Sequence, residues 1–358
     1  MRLGRFLGAP IYVTWSWLLF VLVIVPLYTR QLQDWLGAAS AIALSVLLAL
    51  MWGLSVLLHE LGHVAAAKTL RFDVERVEIG FLGGATTVRS EQDSPRSELY
   101  VAAAGPAVSL ALGLPGGISL LAGHGAGFGL DGVPGMLVSA ITLANLAIGA
   151  FNLLPGLPLD GGRVAVAVLW KVTRNQYKAT IIASYLGQAI SAALALYALW
   201  RVMTSPQPAH QIPWVLAIAI MSASLWAMAA SSRDAAIKEA NLASRRLVDL
   251  LTPAETLDGS EPTAAAGSAG TSLVLVRSDR GLAYADRALA AAASGTLAEH
   301  ATALEPHRQL PEDATCLDLL HALREHADPW YVVVAADGTP LGVVGAQALA
   351  EQPVALTE

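Results

Sequence analysis

Long apolar runs constrain this chain more than any other feature. A helix that crosses a bilayer needs about 20 apolar residues, with a working range of roughly 17–25. Six stretches meet that mark: about Ile11–Leu27, Trp35–Lys68, Glu98–Ala122, Pro134–Leu154, Thr180–Val202 and Ile212–Ala230. Charged residues make up only 14% of the 358, against roughly 25% in a soluble domain. The reading is a polytopic α-helical membrane protein with about six transmembrane helices. Net charge is −6, which argues against a nucleic-acid partner.

Arg2 and Arg5 precede the first run, as in a signal peptide, but no small-residue cleavage site follows. Trp15 and Trp17 instead suit an interfacial anchor. Short loops rich in Lys and Arg face the cytoplasm. Those with Arg71, Arg76, Arg89 and Arg96, with Lys171, Arg174 and Lys178, and with Arg233 and Lys238 all fall on one side. Both termini are therefore expected to be cytoplasmic, in a multi-pass protein of the cell membrane.

Ionisable groups inside an apolar helix cost about 2.5–3.5 kcal/mol each at a central position, so they mark function. His59-Glu60-Leu61-Gly62-His63 is such a cluster. Two His at i and i+4 share a helix face and can reach one zinc. The Glu beside the first His can take a proton from a zinc-bound water. A catalytic zinc takes a third protein ligand. Asp160 is the outstanding candidate, because Pro155, Gly156 and Pro158 break the fourth helix just before it and can fold the chain back. Asp160 is also a natural N-cap for the short apolar stretch Gly161–Val172, read as a re-entrant helix. His124 and His210 fall in external loops, Asp73, Glu75 and Glu78 in a solvated segment, and His300, His307, His321 and His326 in the tail.

From about Arg233 the apolar runs shorten and charges return. Glu255–Gly270 reads as a flexible loop rich in Ala, Gly, Ser and Pro. Ser272–Val276, Trp330–Ala335 and Leu341–Val344 read as strands, Leu317–Glu325 as helix, and Asp337-Gly338 as a turn. The expected domains are thus 1–232 in the membrane and 233–358 as a small α/β cytoplasmic module. The single cysteine, Cys316, excludes an internal disulfide and reads as a core residue in a reducing compartment.

Together, the HExxH and the stretch from Asn152 through Leu159-Asp160-Gly161-Gly162-Arg163 resemble the site-2 protease family of intramembrane zinc metalloproteases. The resemblance covers about Arg5–Arg233. It implies one zinc per chain on His59, His63 and Asp160, Glu60 as general base, and Asn152 at the substrate backbone or oxyanion. A helix-breaking hydrogen bond is the alternative for Asn152. Ile79–Ala85 is similar to the family's glycine-rich strand, which implies a short β segment with Gly83 and Gly84 against an unwound substrate; a plain re-entrant turn is the alternative. Ala104-Gly105-Pro106 matches a further family feature, with Ser109 in place of the usual Asn, a departure expected to affect packing more than chemistry. The implied substrate is a single-pass membrane protein, such as a membrane-bound regulator or anti-sigma factor, cut within the bilayer.

The tail resembles a pair of cystathionine-β-synthase (CBS) domains, clear from about Pro311 and degenerate before it. That resemblance brings an adenine-nucleotide ligand with it, and the degenerate half counts against one. It leaves open a homo-oligomer formed through the tail. A metal transporter and a non-proteolytic receptor are the rival readings. A transporter would spread polar residues through the first, fifth and sixth helices, which hold almost none, and a receptor would be free to lose Glu60.

Overall fold

The computed structural model describes residues 1–80, 83–88, 94–205, 208–267, 272–278 and 281–350. The chain divides into two compact units, Met1–Ala236 and Ile237–Glu358.

The first unit opens with a hairpin rather than a helix. Strands β1 (Arg2–Phe6) and β2 (Ala9–Val13) pair antiparallel around Leu7 and Gly8, both at positive φ. Such two-residue turns match the twist of paired strands. Helix α1 then runs Trp15–Leu36, so the first span starts later and reaches further than the apolar run indicates. Polar Thr29 to Asp34 continue the helix because it satisfies their backbone groups internally. Gly37, at φ +76°, turns the chain into α2 (Ala38–Thr69). At 32 residues, α2 is about 48 Å long, more than the roughly 30 Å of a bilayer core.

Strands β3 (Val74–Gly80) and β4 (Gly83–Val88) follow. They complete a four-stranded sheet in the order β1-β2-β3-β4, with β2 and β3 parallel and β4 at one edge. Phe81, Leu82 and Arg89 lie outside the described residues. Val74 and Val77 anchor the sheet on Val64, Ala67 and Val101.

Helix α3 (Pro95–Leu121) starts at a Ser94/Ser97 capping box, and α4 is Gly132–Asn152. The Leu153–Leu159 breaker follows, then the short α5 (Asp160–Thr173). Irregular backbone among membrane helices needs partners. Here the Leu157 N–H donates to the Ala183 carbonyl of α6 (Gln176–Thr204) at 3.0 Å. Leu159, not Asp160, is the N-cap of α5, which leaves the Asp160 carboxylate free of capping and corrects that expectation. Helix α7 runs Pro208–Ala243, so His210 lies in helix rather than loop.

Helices α1, α2, α3, α4, α6 and α7 are each long and apolar enough to cross a membrane. The chain is a multi-pass α-helical membrane protein.

The second unit is a small α/β module with two sheets. One carries β5 (Thr256–Asp258), β6 (Leu273–Ser278), β7 (Gly281–Asp286) and β8 (Thr302–Ala303). Described residues of Glu255–Gly270 thus form a strand and a 3-10 turn at Thr263–Ala266 instead of a flexible loop, since β5 finds a parallel partner in β6. The other sheet carries β9 (Gln309–Pro311), β10 (Trp330–Val334) and β11 (Pro340–Gly345). The helix Cys316–His326 packs on it, and Cys316 is a buried core residue there. Leu275, Leu304 and Val332 form a core that joins the two halves.

Candidate metal centre

Three donor atoms converge on one point. His59 and His63 stand one turn apart on α2, with Nε2 atoms 3.3 Å apart. Asp160, the first residue of α5, brings Oδ2 to 2.9 Å from His59 Nε2 and 3.2 Å from His63 Nε2. Zinc bonds of about 2.0–2.1 Å in tetrahedral geometry place ligand atoms about 3.3–3.4 Å apart. The triangle here is already near that size. All three side chains are largely buried, so this donor set would be costly with nothing to hold.

The far nitrogens of both imidazoles are committed. His63 Nδ1 lies 2.8 Å from the Val101 carbonyl, which can only accept. His63 is therefore protonated at Nδ1, and its Nε2 lone pair points at the site. His59 Nδ1 lies 2.9 Å from Ser109 Oγ, a buried hydroxyl on α3. Such outer partners fix tautomer and ring orientation. The Ser109 departure thus touches the site itself, which corrects the expectation that it concerns packing. Gly105 explains how α3 comes so close: a Cβ there would lie 2.2 Å from His63 Nε2.

Glu60 is buried beside the two histidines, and Thr86 Oγ1 of β4 donates to its Oε2 at 2.6 Å. A Cβ on Gly84 would meet the Glu60 side chain at 2.3 Å, so the strand passes the carboxylate only as glycine. Sequence reasoning missed Thr86, although it lies one residue past the Ile79–Ala85 segment already singled out.

A cavity of about 600 Å³ opens on these groups. Gly83, Gly84 and Asn152 line it with the donor set, and α1 and α7 supply Phe20 and Met221 as apolar wall. Asn152 faces the cavity, but the hydrogen bond shown for its amide goes to Ile148 O at 3.1 Å within its own helix. Arg163, also on the wall, pairs with Glu98 at 2.8 Å, a contact sequence reasoning did not find. Asp73 and Glu78 pair with Lys68 and Arg76 outside the cavity. Glu60 also lies close enough to His59 and His63 to count with them as a cluster of possible donors, and no separate cluster of that kind occurs among the described residues.

The fold and site define a class: a polytopic helical membrane protein with a buried His–His–Asp donor set and an adjacent glutamate. Residues 47–131 and 130–196 match the profile of peptidase family M50. The Synechocystis protein sll0528, which bears a zinc-metalloprotease name, is 37% identical over 191 residues, 52% of this chain and 49% of that protein. The solved site-2 protease of Methanocaldococcus jannaschii is 26% identical and covers 65% of this chain and 94% of its own, with a TM-score of 0.47. Over residues 47–196 the membrane unit is thus similar to peptidase family M50 and to proteins that bear zinc-metalloprotease names. The chain spans about half the length of the curated relatives it matches. For the tail, the CBS domain of a bacterial CNNM/CorC-family Mg2+ transporter aligns over 34% of this chain and 82% of its own, at 16% identity and a TM-score of 0.26. That likeness is too low to give the tail a ligand.

Proposed function

We propose that this protein is a zinc metalloendopeptidase that cleaves membrane-spanning segments of single-pass membrane proteins. The observation that carries the reading is the joint placement of the His59–His63–Asp160 triangle, the Glu60 carboxylate and the β4 edge in one cavity. His59, His63 and Asp160 would hold the zinc. When bound, zinc supplies Lewis acidity, polarising the scissile carbonyl and acidifying water to a pKa near 7.

The chain's own residues do the rest. Glu60 accepts the proton of the attacking water and returns it to the leaving amine. Thr86 fixes one carboxylate oxygen of Glu60, so the other keeps a defined direction. The outer edge of β4 is the end of its sheet, and a cleavable peptide must be extended. Strand addition along Gly83 and Gly84 would hold such a peptide beside Glu60. Asn152 faces the same space and would bind the substrate backbone or the developing oxyanion. The apolar wall from α1 and α7 suits side chains arriving from lipid.

On the charge bias of the short loops, both termini would lie in the cytoplasm, and residues 233–358 would then form a cytoplasmic module for which we propose a regulatory role. A released cytoplasmic fragment of a membrane-bound regulator would fit that geometry.

The test is purified protein in liposomes with a panel of single-pass substrates. One zinc per chain and cleavage inside the membrane-spanning segment support the reading. Absence of zinc after metal loading, or cuts confined to soluble segments, would overturn it.

A further inference from the structure

The third donor comes from a different part of the chain than the two histidines, so something must set α5 against α2 and α3. The structure offers a specific device. Arg163 lies three residues after Asp160, on the same face of α5. Its Nε donates to Glu98 Oε1 at 2.8 Å. Glu98 is 8% exposed and stands in the first turn of α3. That same helix bears the Val101 carbonyl and the Ser109 hydroxyl that orient His63 and His59. One ion pair therefore ties the turn bearing the third donor to the helix that aims the other two.

The opposite side of this turn is closed by backbone. A Cβ on Gly161 would lie 2.3 Å from the Leu153 carbonyl oxygen, and one on Gly162 2.3 Å from the Gly156 carbonyl carbon. The first turn of α5 thus sits between the breaker loop and the ion pair. The pair is partly buried, with the Arg163 side chain 28% and the Glu98 side chain 10% exposed, and such a pair among membrane helices is costly to desolvate and needs good geometry to persist. A bland packing contact would use apolar residues.

We propose that the Arg163–Glu98 pair is a positioning clamp that sets the Asp160 carboxylate against the two imidazoles. It rests on the reading that His59, His63 and Asp160 bind zinc. In this role both residues act through the placement of α5.

The test measures zinc affinity by chelator competition, and the visible absorption of the Co2+-substituted protein, on the full chain in detergent. Glu98→Gln and Arg163→Gln should each weaken zinc about 10–100-fold, the usual cost of losing an outer-shell partner. Both should shift the Co2+ bands. The double variant should bind no worse than the weaker single, because both singles break one shared contact. Arg163→Lys, which keeps the charge, should fall between wild type and Arg163→Gln. It also keeps the test alive if the Gln variants fail to fold. Zinc affinities within twofold of wild type in both singles would overturn the clamp, even with cleavage lost, since Arg163 would then act on substrate. Multiplicative losses in the double would overturn it as well. A wild type that binds no zinc would instead remove the reading on which the clamp rests.

Discussion

Gly105→Ala adds one methyl group to α3 at the point where it passes the donor set. The new Cβ would lie 2.2 Å from His63 Nε2 and 2.7 Å from His59 Nε2. Moving His63 from 2.2 Å to ordinary contact at 3.4 Å takes a displacement of about 1.2 Å. Zinc sites tolerate about ±0.2 Å in their ligand distances. Neither partner can give way cheaply. His63 is held by the Val101 carbonyl, and α3 is pressed on α2 where Gly62 faces the Ala104 carbonyl. The expected result is at least a 100-fold loss of zinc affinity, about 2.7 kcal/mol. Helix propensity works the other way, since alanine favours the helix over glycine by about 1 kcal/mol. The variant should therefore fold and fail specifically in metal binding. Gly117→Ala is the control on the same helix, because its Cβ would meet only a flexible Leu146 methyl, at 3.1 Å. Chelator competition in detergent gives both affinities. Near-wild-type zinc binding by Gly105→Ala would refute the claim that α3 gauges the site.

Two further predictions concern other parts of the molecule. Thr86→Val should lower the cleavage rate about 10–100-fold at unchanged zinc content, because a hydrogen bond to a charged group contributes about 1.5–3 kcal/mol; a steady-state rate with a zinc assay checks this. In the tail, burial pushes the Asp328 carboxyl up, but the His307 hydrogen bond and the charge and hydrogen bond of Arg308 outweigh it and hold it below the usual range. A group depressed on folding adds stability above its unfolded pKa of about 3.9 and loses it as pH falls through the folded value. The tail should loosen below about pH 4, and Asp328→Asn should flatten that dependence. Labelling of the buried Cys316 by dithiodipyridine, compared at matched pH, reports the opening.

Much of this was legible in the sequence because the physics is local. Apolar runs mark spans whatever surrounds them, and two His one turn apart must share a helix face. Asp160 stood out because a carboxylate behind Pro155 and Pro158 has few other reasons to be there. What escaped depends on distant partners. The β1–β2 hairpin hides in Arg2–Val13 because half its order comes from β3, some 60 residues on. Glu98 and Arg163 are 65 residues apart, and neither alone announces the other. Ser109 could be judged only once His59 was seen against it. The Asp160 cap failed for a local reason: the helix begins at Asp160 itself, one residue earlier than the capping rule would place it.

The most direct test of the central claim is Glu60→Gln in the liposome assay, with zinc measured on the same sample. Glutamine keeps the shape of the side chain and the Thr86 contact but cannot take up a proton. The expected result is about one zinc per chain and no cleavage above background. Cleavage at the wild-type rate with zinc in place would contradict Glu60 as the base, and with it the mechanism built on this cavity.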